Sequence, residues 1–139
     1  MNDEAPTKPV SAADELTEPF FAAGAEGRLL LARCSSCAEL RLPIAPNCPS
    51  CLGGGYEWEE ASGRGTVYTF AVMHQRYHPA WEPDLPYNIA VIELDEGPRL
   101  PANLIGVDNA DITVGLPVEV VWEREGDAPV PRFQPVRAV

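Results

Sequence analysis

Four cysteines fall within one short run, RCSSCAELRLPIAPNCPSCLGGG at residues 33–55, and the rest of the 139-residue chain has none. They form two C-x-x-C pairs, Cys34 with Cys37 and Cys48 with Cys51, separated by residues 38–47. Two such pairs brought together across a hairpin supply four thiolates in a tetrahedral array, the arrangement zinc takes in structural ribbon sites. With every position filled by sulfur, no coordination site is left for water or substrate, so the metal braces architecture and activates nothing. Two alternatives stand beside zinc: a pair of disulfides, which a reducing compartment disfavours, and buried thiols without metal. Zinc knuckles often place glycine directly after the second cysteine, where the backbone turns left-handed, but here those positions are Ala38 and Leu52. A β-carbon costs roughly 1–2 kcal/mol there. Zinc binding in comparable peptides contributes roughly 10–16 kcal/mol, which outweighs it, and Gly53, Gly54 and Gly55 stand ready to absorb the remaining distortion.

Four thiolates around one divalent ion carry a charge of about −2, and proteins arrange donors and positive charge nearby. Arg28, Arg33 and Arg41 lie in this segment. They either neutralise the thiolates, Glu26 and Glu39, or join Arg64 and Arg76 in an anion site at the seam between ribbon and barrel. His74 and His78 are spaced as metal ligands on a helix would be, but the sequence His78-Pro79 reads as loop, which makes them contact residues before ligands or bases. The same loop carries Tyr77, Trp81 and Tyr87, aromatics suited to anchoring an interface or stacking on a ring. Phe20 and Phe21 cannot both be shielded by a short helix, so one packs on the fold or on a partner. The contact candidates are therefore Phe20, Phe21, His74, Tyr77, His78 and Trp81.

The elements that must position these residues read as mostly β, with 15 prolines favouring short strands and loops over long helices. Residues 1–16 have the composition of a flexible acidic tail. Residues 17–27 read as a short helix with Pro19 at its first position and an end near Gly24 or Gly27. Residues 28–55 form the ribbon and residues 56–136 the barrel. A long central strand spans Arg64 to His74, with Thr66, Tyr68, Phe70 and Val72 on one side and Val67, Thr69, Ala71 and Met73 on the other. Residues 74–86 form a long loop, too broken for helix or ladder. A hairpin follows from Tyr87–Leu94 through Asp95-Glu96-Gly97-Pro98 to Arg99–Ile105, its Pro101 marking an edge or bulge. Val118–Glu123 and the segment Pro131–Pro135 complete about five strands, the count of a small Greek-key barrel of the OB type.

Charge excludes some functions. Twenty-one acids against 10 bases leave a net charge of −11, a field that repels phosphate backbones and anionic lipid. The amino-terminal residues lack the basic start and apolar run of a secretory signal, and no apolar run is long enough to span a bilayer. The reading is a cytoplasmic protein without nucleic-acid or membrane partners.

The run Glu26-Gly27-Arg28-Leu29-Leu30-Leu31, the two C-x-x-C pairs, and the segments GRGTVYTF (63–70), LDEGPRL (94–100), VGLPVEVVWE (114–123) and PRFQP (131–135) together carry a resemblance. From about residue 18 to 136 the chain resembles the bacterial and archaeal proteins that join an amino-terminal helix and rubredoxin-like zinc ribbon to an OB-fold. Phe21 stands where that family frequently has tryptophan. The resemblance implies a zinc-binding accessory subunit that partners a thiolase-like enzyme (acyltransferase or aldolase) or a hydratase in a hetero-oligomer and helps bind or channel acyl-CoA. Steroid or fatty-acyl degradation is among the settings it implies. It carries the ribbon ligands onto Cys34, Cys37, Cys48 and Cys51, and it makes Arg28, Arg33, Arg41, Arg64 and Arg76 the candidates for coenzyme A phosphates, since no fixed motif marks that site. An OB-fold binder of single-stranded nucleic acid is the alternative, and it requires a basic groove with aromatics. An independent CoA-thioester enzyme would need a nucleophile and base that the residues do not supply.

Overall fold

The computed structural model describes residues 7–9, 14–42 and 45–136. Much of the tail expected over residues 1–16 lies outside them, as does Pro43. Helix α1 (Glu18–Ala25) starts one residue before Pro19, which is second and not first in the helix; its fixed φ suits the first turn, where no N–H is needed. The chain leaves the helix at Gly27, whose φ of 81° is left-handed. Gly24 does not end the helix. It lies inside it because a β-carbon there would come within 2.5–2.8 Å of the Trp122 ring, so α1 approaches the barrel at glycine distance.

A three-stranded antiparallel sheet follows: β1 (Leu30–Cys34) in the centre, β2 (Leu40–Arg41) on one edge and β3 (Tyr56–Glu60) on the other. Tyr56–Glu60, just past the boundary expected at residue 55, pairs with β1 along its whole length. The second sheet has five antiparallel strands in the order β6-β5-β4-β7-β8: β4 (Arg64–Met73), β5 (Tyr87–Leu94), β6 (Arg99–Ala102), β7 (Pro117–Glu125) and β8 (Ala128–Pro135). A parallel bridge between Leu104 and Phe133 brings its two edges together into a nearly closed barrel of the OB type. Pro101 lies on edge strand β6, where its lack of an N–H costs no ladder bond.

Two sequence expectations are corrected by geometry. The alternation along β4 breaks at a bulge, since Val67 pairs with Ile92 and Thr69 with Val91, leaving Tyr68 as the extra residue. The inward set is therefore Gly65 and Val67 before the bulge and Phe70 and Val72 after it, while Tyr68 and Thr69 are both exposed. Residues 74–86 also contain a 3₁₀ helix, Pro79–Asp84, which His78 caps by accepting from the Ala80 N–H at 3.1 Å.

One core serves both sheets. Leu29 and Leu31 from the ribbon side are packed with Phe20 of α1 and with Val67, Ala90, Ile92, Leu94, Val118 and Phe133 of the barrel. Asn88 holds the closing point: its side chain accepts from the Leu104 N–H at 2.6 Å and donates to the Leu104 carbonyl at 2.9 Å, both buried. These two bonds substitute for a ladder where β6 has already ended. Among the described residues no helix is long and apolar enough to cross a membrane. Replacement N88A leaves both Leu104 groups buried without partners and is expected to destabilise the chain by about 1–3 kcal/mol. Urea unfolding checks this, and an unchanged midpoint would remove Asn88 from the closure.

Candidate functional site

Each C-x-x-C pair sits in a backbone knuckle, and the two knuckles repeat the same bonds. In the first, Ala38 N–H donates to the Cys34 carbonyl at 2.9 Å and Cys34 N–H to the Glu39 carbonyl at 2.9 Å. In the second, Leu52 N–H donates to the Cys48 carbonyl and Cys48 N–H to the Gly53 carbonyl, each at 2.8 Å. Closing either loop requires a left-handed residue, and Ala38 (φ 66°) and Leu52 (φ 65°) take that conformation themselves. None of the three following glycines has a positive φ, so they do not relieve the strain. Gly53 is needed for space instead, since a β-carbon there would lie 2.9 Å from Ser36 Oγ and 3.2 Å from Cys51 Sγ. Each left-handed residue costs roughly 1–2 kcal/mol.

The knuckles face one another with sulfurs inward. Cys34 Sγ is 3.5 Å from Cys51 Sγ, Cys37 Sγ is 3.7 Å from Cys48 Sγ, and all four sulfurs lie within 4.8 Å of one another. A tetrahedral ion with Zn–S bonds of about 2.3 Å needs sulfurs roughly 3.8 Å apart, so the donor set fits zinc in number, type and spacing. Backbone N–H groups of Ser36 and Gly53 point at Cys34 Sγ and Cys51 Sγ, both at 3.4 Å, as thiolate acceptors require.

Electrostatics say the same. Backbone N–H donors, from Cys37 first and then Ser36, bring the Cys34 thiol down to about 6. The N–H groups of Cys51 and Ser50 likewise lower Cys48. The other two move the opposite way. The Glu39 N–H pulls on Cys37, but desolvation and hydrogen bonds with the other three thiols outweigh it and push this thiol up to about 12. For Cys51 the Gly53 N–H is likewise overcome, by the Cys34 thiol and desolvation. The four thiols titrate as one coupled set, in which ionising some keeps the others protonated while no cation shares the space. A divalent ion removes that conflict by binding all four as thiolates, with no open position.

The arginine candidates are not gathered into one site. Arg33 donates to the Ala38 carbonyl at 2.7 Å and pairs with Glu59 at 2.6 Å, which ties the first knuckle to β3. Arg41 is buried, donates to the Ala45 carbonyl at 3.1 Å and lies 5.3 Å from the centre of the Tyr56 ring. Arg76 pairs with Glu82 at 2.9 Å, and Arg28 has an exposed pair with Glu26 at 3.5 Å. Arg64 begins β4 and Arg76 follows its end. That strand is roughly 30 Å long at about 3.3 Å per residue, so one phosphate site cannot hold both.

The aromatic candidates divide in the same way. Phe20 packs in the core, 5.7 Å from the Trp122 ring and 5.3 Å from Phe21, while Phe21 is half-buried. Trp81 lies 4.8 Å from the Tyr87 ring and has Lys8 Nζ 4.4 Å from its centre, engaged within the chain. His78 is the helix cap already described, and no helix places His74 above it. His74 and Tyr77 remain exposed. Sequence reasoning missed a polar cleft of about 260 Å³ beside this loop, lined by Trp81, Tyr87, Asn88, Asn103, Asn109 and Arg132 among others. Arg132 is buried there and pairs with Glu123 at 3.3 Å and Glu125 at 3.0 Å. A single arginine between prolines in PRFQP gave no periodic signal that would single it out.

Comparison with known proteins agrees with this geometry. Residues 21–57 match the rubredoxin-like zinc ribbon domain of ChsH2, and residues 58–123 match its C-terminal OB-fold domain. The chain is 41% identical over 119 residues to the probable enoyl-CoA hydratase alpha subunit of Thermomonospora curvata, an alignment covering 84% of this chain and 36% of that protein. It thus spans about a third of that relative's length. Over 98 residues it is 37% identical to a DUF35 domain-containing scaffold protein of Methanocaldococcus jannaschii, covering 69% of this chain and 68% of the relative. Among solved structures, a chain of the Ltp2-ChsH2(DUF35) aldolase superimposes with a TM-score of 0.80 at 37% identity, covering 91% of this chain and 98% of that one.

Protein purified under reducing, chelator-free conditions is expected to carry one zinc per chain by elemental analysis, and C34S to lose it. Protons compete with metal for the sulfurs, so zinc is retained at neutral pH and released as the pH falls. A chromogenic chelator added along an acid titration reads the release. Metal-free protein with an unaltered unfolding midpoint would show that the cluster needs no ion.

Proposed function

The chain belongs to the ChsH2 family, in which a rubredoxin-like zinc ribbon precedes a C-terminal OB-fold, and on that premise we propose that it is a non-catalytic zinc-bearing subunit of an acyl-CoA enzyme complex. Its partner is a thiolase-like enzyme, an acyltransferase or aldolase, or a hydratase, and the subunit helps hold the CoA portion of the substrate. The observation that carries this reading is the near-complete superposition on a chain of an aldolase assembly named for two components, Ltp2 and ChsH2. The names of the hydratase alpha subunit and the scaffold protein point to the same kind of role.

The physical chemistry is consistent with an accessory role. Four sulfurs around one ion leave it no substrate position, which removes the cysteines as nucleophiles and the metal as a Lewis acid. Of the arginines considered for CoA phosphates, Arg33 and Arg41 are engaged in holding the ribbon. Arg28 and Arg64 suit the task better: Arg64 has no ion pair among the described residues, and Arg28 has one long exposed pair that a phosphate would displace at little cost.

The test is co-expression with a thiolase-like or hydratase polypeptide from the same genome. The two are expected to co-purify, and acyl-CoA turnover by the partner is expected to fall at least tenfold when this chain is omitted. A partner that is soluble and fully active alone would refute the accessory role, as would acyl-CoA turnover by this chain in isolation.

A further inference from the structure

The outer end of the ribbon combines two features that the fold itself does not use. Leu52 is 75% exposed, the most open of the large apolar side chains among the described residues, and it also occupies the left-handed position of the second knuckle. An exposed leucine alone means little, since folded surfaces contain many. A leucine that is both exposed and held where glycine would be relaxed is different, because its side chain returns nothing to the chain that bears the strain. Ala38, at the equivalent place in the first knuckle, has the same backbone and almost no side chain, so the shared geometry does not itself call for a large apolar group.

The second feature is the metal cluster's uneven cover. Cys34 and Cys48 are buried at 2% and 0% exposure, whereas Cys37 and Cys51 are exposed, and Cys51 is next to Leu52. With a divalent ion bound, four thiolates give this end a net charge of about −2 at the surface. Nearby, Arg33 is already committed to Ala38 and Glu59.

We propose that the Leu52 knuckle is a docking point for the catalytic subunit, with the leucine inserting into an apolar socket rimmed by basic or N–H donor groups that face the exposed thiolates. The proposal rests on the accessory reading above and specifies where the partner binds. A socket of that chemistry buries the leucine and satisfies the sulfurs on the open side together, which an apolar patch or a second copy of this acidic chain would not do.

Two glycine variants separate docking from folding. L52G and A38G relax the same backbone strain, so each isolated chain is expected to keep its zinc and to unfold at the same midpoint as the parent or higher. With the enzyme chain that co-purifies with the parent, A38G is expected to bind unchanged. L52G is expected to bind roughly ten- to a hundredfold more weakly, the loss of one buried leucine side chain. Zinc release to a chelator should be slower in the complex than in the free parent chain, and L52G should lose that protection at concentrations where the parent retains it. A complex of undiminished affinity with L52G overturns the docking point and leaves the accessory role intact. Failure of the parent to form any complex overturns both. A lower midpoint for isolated L52G but not A38G would make Leu52 a structural residue, and a Leu52-dependent homodimer in sedimentation would make the occupant a second copy; either result defeats the proposal.

Discussion

Four sulfur atoms within 4.8 Å of one another cannot all be anions unless a cation lies among them. That constraint organises the ribbon. It explains why the thiols pull against one another although backbone N–H groups favour their ionisation, and why two residues with β-carbons hold a left-handed backbone. Strain of roughly 1–2 kcal/mol at each knuckle is small beside roughly 10–16 kcal/mol of zinc binding. The ion adds to backbone bonds within each knuckle and to Arg33, which ties the first to β3, by joining the two knuckles through their sulfurs.

The metal's influence reaches the barrel through one strand. β1 ends at Cys34, inside the cluster, and begins beside Leu29, inside the common core. Leu31 faces the barrel with Leu29, while Ala32 and Cys34 alternate with it. The ribbon is too small to bury a core alone, so its stability is divided between sulfur and metal at one end and borrowed apolar contacts at the other. Gly24 makes a related contribution from the helix, letting α1 come close enough for Phe20 to meet Trp122.

Much of this was legible in the sequence, for identifiable reasons. Cysteine spacing specifies a site almost without regard to the surrounding fold, because metal geometry fixes what the pairs can do. Strand positions followed from β-branched and aromatic runs between turn residues, and Pro101 marked its edge strand correctly. What failed was whatever depended on a local departure from period. One extra residue at Tyr68 reverses the faces on the two sides of it, and no pattern of residue types announces a bulge in TVYTF. Asn88 is a polar residue within an apolar alternation, and only tertiary contact with Leu104 shows it to be a clasp. Trp81 is a loop aromatic whose surroundings cannot be read from sequence: it lies against Tyr87 and Lys8 and also lines the polar cleft.

The arrangement of the unused surface bears on the accessory role proposed above. An enzyme converges its reactive groups on one cleft, and here the features left over from folding diverge. The ribbon end shares a cleft with the β5–β6 turn, through Arg33, Ala38 and Glu39 on one side and Glu96, Gly97 and Pro98 on the other. That turn lies at the start of β4, where Asp95 N–H bonds the Arg64 carbonyl. His74 and Tyr77 follow the far end of the same strand, roughly 30 Å along it at about 3.3 Å per residue. A substrate the size of an acyl thioester gains little from groups so far apart, whereas a protein surface can meet both. Between them the rigid barrel fixes the spacing, with Asn88 and Phe133 holding it closed. Separation of that kind fits the accessory role proposed above, and an ion held by all four sulfurs would brace one end with no position open to a reactant.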